Sequence, residues 1–463
     1  MIKSNTIRLR WWIAVLFALS VILPGGWYLT GRMEKSEPVF DDIDIPSYFG
    51  ESTTVSGRIE DLKSGLDSFS VSIASKGADE QVLTRSEFEP ASFFVRSSHK
   101  EAHFKITVEP KKLGLADGEA FIRLHANDAS WRNFGKGNTA QLEIPVTIDT
   151  RPPSISVLTR QHNINQGGAG LIVYRVNKPI KQDGVLVGDI FYPGHAASPE
   201  DPLTRLAFFA LTHEQGRGTQ MAIEVVDMAG NRSRTGFYNH ITNKRFPQDT
   251  LNITDSFLEL ILPRFEPLPG ADTQATLKDK FLIVNQVLRQ ANEGLFRKTT
   301  QKTEPKMLWS GAFTRLPNAA PRAGFGDRRS YRYDGQIIDE QVHMGVDLAS
   351  LALSPVPASN AGKVVLAGDV GIYGLTVMLD HGFGLFTHYS HLSGTLVEVG
   401  QFVNKGQILG ATGTTGLAVG DHLHYGVLIG PTFVTPLEWW DESWIKNNVS
   451  DKLAQALNPE QNQ

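Results

Sequence analysis

The stretch Asp421-His-Leu-His-Tyr-Gly-Val-Leu428 sets two histidines two positions apart in a run that is typical of a β-strand. Because alternate side chains of a strand point to the same face, the imidazoles of His422 and His424 can reach one site. A second stretch, His343-Met-Gly-Val-Asp347, offers an imidazole and a carboxylate four positions apart, a spacing that also shares a face. Gly345 and the surrounding strand pattern argue against a helix there. Together the two stretches predict a site built on neighbouring strands.

The histidines of the chain are concentrated in this region. Six of the thirteen lie between positions 343 and 424, and five of these fall in three short groups. The chain has no cysteine, so any metal ion must be held by imidazole and carboxylate groups. Two imidazoles and one carboxylate, from His343, Asp347 and His424, suit Zn²⁺ and leave the fourth tetrahedral position for water. The sequence therefore predicts a catalytic zinc site.

Catalysis at such a site also needs groups that move protons. Zinc lowers the pKa of its bound water to about 7, but the sequence contains no His-Glu-x-x-His that would supply a glutamate base. His391 and His422 are the candidates, because an imidazole can act as an acid or as a base near neutral pH. His381 lies in a predicted hairpin turn, so we expect it to be structural. His388 would face away from His391 on a strand, so neither residue is a candidate.

Four motifs, in this order and spacing, resemble the lysostaphin/LytM-type zinc endopeptidases. They are His-x-Gly-x-Asp at 343–347, Tyr389-Ser-His-Leu392, Gly400-Gln-Phe-Val-Asn-Lys-Gly-Gln-Ile-Leu-Gly410, and Thr412-Gly-Thr-Thr-Gly416 followed by Gly420-Asp-His-Leu-His-Tyr425. The resemblance covers about residues 309 to 440. Many glycines separate short strands in this region, which indicates tight turns in an all-β domain.

The resemblance implies an antiparallel β metallopeptidase fold related to the duplicated hybrid motif. It implies that His343, Asp347 and His424 hold zinc and that His391 and His422 are catalytic. The implied substrates are stem or cross-link peptides of peptidoglycan. The first hypothesis is therefore a zinc-dependent endopeptidase that hydrolyses peptidoglycan cross-links.

Two alternatives and one role stay open beside this hypothesis. A non-catalytic envelope protein of the same fold would bind cell wall or activate another hydrolase, but such proteins usually lack ligands and none is missing here. A lipoyl-like carrier needs a lysine at a hairpin tip, whereas Lys405 lies in a Lys-Gly turn between strands. The tyrosine that supports the reaction intermediate in the family has no clear match, because Tyr331 and Tyr333 both precede the first motif at uncertain spacing.

The N-terminal region carries a membrane signal. Residues 11–29 contain no charge and would span about 28 Å as a helix, close to the thickness of the bilayer core. Lys3, Arg8 and Arg10 favour a cytoplasmic N-terminus, so we expect a single-pass anchor over 1–32 in the inner membrane, with the catalytic domain in the periplasm or outside the cell. Pro24-Gly-Gly26 shortens the run enough that a cleaved signal peptide remains the alternative.

The segments before the metallopeptidase region predict a mainly β protein. Alternating patterns at 68–73 and 140–148 indicate half-buried strands of a β-sandwich over 45–150. Thr150-Arg-Pro-Pro153 marks a boundary, and similar patterns at 171–176 and 221–226 predict a second β-domain over 153–242. These two domains loosely resemble bacterial immunoglobulin-like modules, which implies a spacer or a surface for envelope protein partners.

Residues 244–308 read as a short helical linker. Its apolar side chains fall on one helix face, at Leu277, Phe281, Val284, Leu288, Ala291 and Leu295. We expect this linker to pack on a neighbouring domain, with a regulatory arm over the active site as the alternative. Residues 441–463 are expected to be a C-terminal tail. The formal charge of −4 and the lack of a Lys/Arg run argue against a nucleic-acid partner.

Overall fold

The structure is a computed structural model that describes residues 3–75, 79–89, 99–268, 270, 272 and 274–457. The chain divides into two compact units. The first comprises Met1–Pro152 and Met228–Asn231, and the second comprises Pro153–Asp227 and Arg232–Gln463. Strands dominate both units, which confirms the predicted mainly β class.

The N-terminal helix of the first unit extends over Lys3–Arg32. Its apolar stretch, Arg10–Thr30, is the one helix among the described residues that is long and apolar enough to cross a membrane. A signal sequence passes the same test, so an anchor and a cleaved signal both remain open. At the end of the helix, the buried Arg32 donates from Nη1 to the carbonyl oxygen of Ala129 at 3.2 Å.

Eight strands follow among the described residues of the first unit: β1 Val39–Asp44, β2 Tyr48–Phe49, β3 Thr53–Glu60, β4 Leu66–Ser75, β5 Gln81–Glu87, β6 Glu101–Val108, β7 Gly118–Asp128 and β8 Thr139–Ile148. They form one sheet in the order β1-β3-β6 and another in the order β2-β8-β7-β4-β5. Side chains from both sheets, such as Val55 and Val71, share one core. The unit is thus a two-sheet sandwich.

The second unit begins with ten short strands: β9 Ile155–Val157, β10 Asn163–Asn165, β11 Ala169–Val176, β12 Ile180–Val187, β13 Ile190–Pro193, β14 His195–Ala196, β15 Thr204–Ala210, β16 Met221–Asp227, β17 Arg232–Gly236 and β18 His240–Thr242. Two four-stranded sheets, β14-β15-β11-β9 and β13-β12-β16-β17, contribute to one core, and β10 pairs with β18. The predicted strands at 171–176 and 221–226 lie in β11 and β16. The likeness to immunoglobulin-like modules stays a prediction.

Thirteen further strands complete the unit: β19 Gln248–Ile253, β20 Ala320–Ala323, β21 Arg328–Tyr333, β22 Gln336–Val342, β23 Val346–Ala349, β24 Pro355–Pro357, β25 Gly362–Asp369, β26 Leu375–Gly382, β27 Leu385–Thr395, β28 Phe402–Val403, β29 Ile408–Thr412, β30 Leu423–Ile429 and β31 Thr432–Val434. The main sheet has the order β20-β23-β30-β27-β26-β25-β28, with β24, β29 and β31 paired beside this path. A separate small sheet has the order β19-β21-β22.

The linker prediction for 244–308 is wrong in one respect, because the segment begins with the strand β19. Helical structure follows at Asp255–Ile261 and Leu262–Phe265, and then in an uninterrupted helix composed of Leu277–Leu282, Ile283–Leu288 and Arg289–Thr299. We call this last element, residues 277–299, the long helix. Its middle part is π-helical, so it carries one extra residue in a turn.

The π-helical turn changes which face of the long helix is buried. Phe281 is fully buried, as the apolar periodicity predicts. Beyond the turn, however, Leu295 is 39% exposed and Phe296 is buried in its place. A wide turn displaces the following side chains by one position, so the predicted stripe is wrong in its C-terminal half.

The C-terminal residues are not a tail as far as the structure describes them. Short helices occupy Leu437–Trp440, Glu442–Ile445, Lys446–Ser450 and Asp451–Leu457. Ile445 and Val449 are buried in a core that also contains Phe208 and Trp439, whose ring centroids lie 6.0 Å apart. The second β-domain and the metallopeptidase region, predicted as separate domains, therefore share one core.

Candidate metal centre

Three predicted ligands converge on one point. Asp347 of β23 and His424 of β30 are direct partners across two antiparallel strands, and His343 lies just before β23. Asp347 Oδ1 is 3.0 Å from His343 Nε2 and 2.8 Å from His424 Nδ1, and these two nitrogens are 2.9 Å apart. The structure thus brings together the donor atoms that the sequence predicts.

The orientation of the imidazoles favours a cation. The Nδ1–H of His343 donates to the carbonyl oxygen of Gly324 at 2.8 Å, which leaves a lone pair on the Nε2 that faces Asp347. The Nε2 of His424 is buried without a hydrogen-bond partner among the described residues. His343 Nε2 and His424 Nδ1 both lie against Asp347 Oδ1, and a positive ion at this point would bind all three atoms.

The donor set fits zinc. Tetrahedral zinc with bonds of about 2.0–2.2 Å needs ligand atoms roughly 3.3 Å apart, so only small displacements from the observed 2.8–3.0 Å are required. Two imidazoles and one carboxylate also leave one coordination position for water. His343, Asp347 and His424 can hold the ion without rearrangement of the strands.

The protonation states agree with this role. Burial raises the pKa of Asp347, but its interactions with His343 and His424 outweigh this effect and hold that pKa well below its usual value. Burial lowers the pKa of His424 to about 4. At neutral pH the carboxyl is ionised and the imidazole of His424 is neutral, which are the forms that bind metals.

His391 and His422 lie beside the three ligands, with ring centroids 4.9 Å apart. The Nδ1–H of His391 donates to the carbonyl oxygen of Thr415 at 2.8 Å, and that of His422 donates to Gly420 at 2.7 Å. The Nε2 atoms are consequently the basic ones, and that of His422 is 3.6 Å from Asp347 Oδ1. Two histidines with free basic nitrogens thus accompany the ligand set.

The backbone of His391 is strained. Its φ of +62° is uncommon for a residue with a side chain, and such strain often marks functional positions. Burial lowers the pKa of His391 to about 3, so its imidazole is neutral in this structure at physiological pH.

The remaining two histidines of the region, His388 and His381, are buried in the interior of the domain. His388 is fully buried behind the ligands, 5.4 Å from the ring of His424, and it stacks on Phe296 at 4.7 Å. His381 donates from Nδ1 to Ala361 and accepts at Nε2 from the hydroxyl of Thr387.

The metal centre opens into a cleft of about 690 Å³. One wall comes from the main sheet. Another comes from β19, the helix Asp255–Ile261 and the long helix, which contribute apolar side chains such as Leu251, Ile253, Phe257 and Phe281. Tyr331 also lines the cleft, whereas Tyr333 donates its hydroxyl proton to Asp255 at 2.6 Å.

Sequence reasoning missed two neighbours of the ligands, Arg329 and Tyr373. Arg329 Nη2 is 3.3 Å from Asp347 Oδ2, and the Tyr373 ring lies 5.5 Å from that of His424. No local spacing points to either residue, because each reaches the site through pairings between elements that are distant in the chain.

A second group of acids, Glu34, Asp61 and Asp128, lies buried in the first unit. Backbone N–H groups of Ser64 and Gly65 donate to Glu34 and Asp61 at 2.6 and 2.8 Å, respectively. Internal hydrogen bonds of this kind give these carboxylates a structural role.

An antiparallel β-sheet with a His₂Asp donor set and two further histidines defines a metallopeptidase-type domain. Residues 341–436 match the model of Peptidase family M23, so this part of the chain is an M23 domain.

Part of this chain is similar in sequence to three known proteins. An uncharacterized metalloprotease of Haemophilus influenzae is 38% identical over 129 residues, which cover 27% of this chain and 26% of that protein. The peptidoglycan DD-endopeptidase ShyB of Vibrio cholerae is 34% identical over 122 residues, which cover 26% of this chain and 28% of that protein. The catalytic domain of lysostaphin from Staphylococcus simulans is 29% identical, with a TM-score of 0.24, and the alignment covers 28% of this chain and 98% of that domain. The matched stretch spans about a quarter of the two relatives.

Proposed function

We propose that this chain is a zinc-dependent endopeptidase that hydrolyses peptide cross-links of peptidoglycan in the cell envelope. The observation that carries the proposal is the convergence of His343 Nε2, Asp347 Oδ1 and His424 Nδ1 within 3.0 Å at the edge of an open cleft. The name of the similar ShyB protein supports the choice of substrate.

The proposed mechanism divides the work among five residues. His343, Asp347 and His424 would hold the ion, which would make a water nucleophilic at neutral pH and polarise the scissile carbonyl. His422 Nε2 lies 3.6 Å from Asp347 Oδ1, and the ring of His391 lies 5.7 Å from that of His424. One accepts the proton of the attacking water, and the protonated form donates to the tetrahedral intermediate or the leaving amine.

The N-terminal helix supports the proposed location. We assign it as an inner-membrane anchor that holds the M23 domain in the periplasm, where peptidoglycan is accessible. The first β-unit would then separate the catalytic domain from the membrane or contact envelope proteins.

Incubation of the purified, detergent-solubilised chain with purified peptidoglycan tests the function. We expect cross-linked muropeptides to be converted to uncross-linked ones with new amino termini, and a chelator to stop the reaction until zinc is restored. The His424→Ala variant is the matched control. A zinc-loaded wild-type chain that releases nothing would support the non-catalytic alternative instead.

A further inference from the structure

The two oxygens of Asp347 have different partners. Oδ1 faces the two ligand histidines at 3.0 and 2.8 Å, as expected of the atom that binds the metal. Oδ2 lies 3.3 Å from Nη2 of Arg329. Within the part of the chain that the structure describes, Arg329 is the one side chain that reaches this second oxygen.

Arg329 comes from outside the M23 match at 341–436. It lies on β21, where its strand partners are Asp249 of β19 on one side and Gln341 of β22 on the other. The small sheet β19-β21-β22 therefore determines where the guanidinium lies. The segment before the M23 domain contacts the metal centre through this residue.

The pair is shielded from solvent. The side chains of Arg329 and Asp347 are 24% and 13% exposed, so their attraction is screened less than that of a surface ion pair. A hydrogen bond between two charged groups is also stronger and more directional than a neutral one. The contact can hold the carboxylate plane in one orientation.

We propose that Arg329 is a positioning residue of the metal centre, which holds Oδ2 of Asp347 so that the carboxylate binds the ion through Oδ1 alone. Carboxylates bind metals through one oxygen or through both. If Oδ2 also turned to the ion, it would raise the coordination number to five and crowd the position that the reacting water needs. The inference rests on the proposed zinc site, but not on any particular substrate.

Metal binding to the full chain tests this role without a measurement of hydrolysis. We expect Arg329→Met to weaken zinc binding by about 10- to 100-fold in competition with a coloured chelator, a range typical of outer-shell partners of metal ligands. Arg329→Lys should recover part of the affinity, because an ammonium can still donate to Oδ2. The matched control is Arg328→Met, since Arg328 is adjacent and exposed and does not line the cleft.

Cobalt substitution reports the coordination number directly. Four-coordinate Co²⁺ absorbs visible light more strongly than five-coordinate Co²⁺, so Arg329→Met should lose intensity while Arg328→Met keeps it. If Arg329→Met does not fold, the same measurement is made on Arg329→Gln, which retains a hydrogen-bond donor. Wild-type zinc affinity and an unchanged cobalt spectrum in the folded Arg329 variants would overturn the proposal. A chain that binds zinc but cuts no peptidoglycan would contradict the proposed function alone.

Discussion

His422 and His424 lie two positions apart and face the same site, yet their environments differ. His424 is buried and places Nδ1 2.8 Å from Asp347 Oδ1. His422 is partly exposed, and its Nε2 is 3.6 Å from the same oxygen. This difference agrees with the proposed roles of His424 as a metal ligand and His422 as an acid–base group.

Alanine substitutions should separate the two roles. His424→Ala removes one of three ligands, so we expect the purified chain to lose its zinc. His422→Ala should keep zinc and lose about 10²- to 10⁴-fold in peptidoglycan cleavage, the usual contribution of an acid–base group. Zinc content and muropeptide release are measured on the same samples. Loss of zinc from His422→Ala with retention in His424→Ala would show that the assignment is reversed.

Gly345 lies against the ring of His424. A Cβ at this position would be 2.7 Å from both Nε2 and Cε1 of that imidazole, closer than real Cβ contacts allow. We expect Gly345→Ala to displace the ring and to weaken zinc binding, at a stability cost of about 1–3 kcal/mol. Chelator competition and thermal unfolding measure the two effects.

Gly368 provides the control for this change, because a Cβ there meets nothing within 4 Å. Gly368→Ala should leave zinc affinity unchanged. Equal affinities in the two variants would mean that the ring of His424 can move without loss of the site.

The proximity of the five candidate site residues could be predicted because their signals are local. His422 and His424 share a strand face, and the spacing from His343 to Asp347 lies within one short stretch. Arg329 could not be predicted, since its contact with Asp347 depends on the pairing of β21 with β19, whose residues are far away in the sequence.

At the level of elements, the long helix supports the metal centre from behind. Phe296 stacks on His388, which in turn lies beside the ligand His424. The side-chain oxygen of Asn292 accepts a hydrogen bond from the N–H of Ile372 at 2.9 Å. The C-terminal part of the helix is therefore part of the core under the site.

Periodicity alone could not identify this face. The sequence predicts Leu295 as buried, but the π-helical turn at Ile283–Leu288 places Phe296 there. Such a turn leaves no clear pattern in the residues that form it, because the tertiary contacts of the helix stabilise it. The presence of the helix was predictable, whereas the side chain that supports His388 was not.

Alanine substitutions at these two positions should have unequal effects. Phe296→Ala creates a cavity beside His388 and should destabilise the chain by about 3–5 kcal/mol, with weaker zinc binding. Leu295→Ala, at a position 39% exposed, should change stability by less than about 0.5 kcal/mol. Thermal unfolding of the full chain compares them. Similar losses of stability in both variants would mean that Leu295 is buried, as the sequence predicts.

Across the second unit, the second β-domain and the M23 domain are joined by a common core. The boundary expected near residue 309 was based on a change in the sequence from a helical pattern to short strands separated by glycines. Such a change does not show whether two apolar surfaces pack together. Trp309 and Phe208 both contact Trp439, with ring centroids 5.8 and 6.0 Å away. A fragment limited to 309–440 would therefore expose an apolar face that the full chain buries.

Glu438 also joins the second β-domain to the M23 domain, and we expect its ionisation to make the stability of the second unit depend on pH. Its carboxylate accepts from Nδ2 of Asn165 at 2.8 Å and from the N–H of Ala169 at 2.9 Å. Burial raises the pKa of Glu438 to about 7, above the ordinary value of 4.5. Between these two values the folded chain holds a proton that the unfolded chain releases, so this group's contribution to stability falls as the pH rises from 4.5 through 7.

Glu438→Gln should remove this dependence, because the amide stays neutral and can accept from Ala169. We expect the variant to be more stable than the wild type at pH 8, by up to about 3 kcal/mol, and nearly equal to it at pH 5. Thermal unfolding of the full chain at both pH values measures the difference. Glu442→Gln, at an exposed position nearby, should show no such change. An equal difference at pH 5 and pH 8 would mean that the ionisation of Glu438 does not set the stability of the junction.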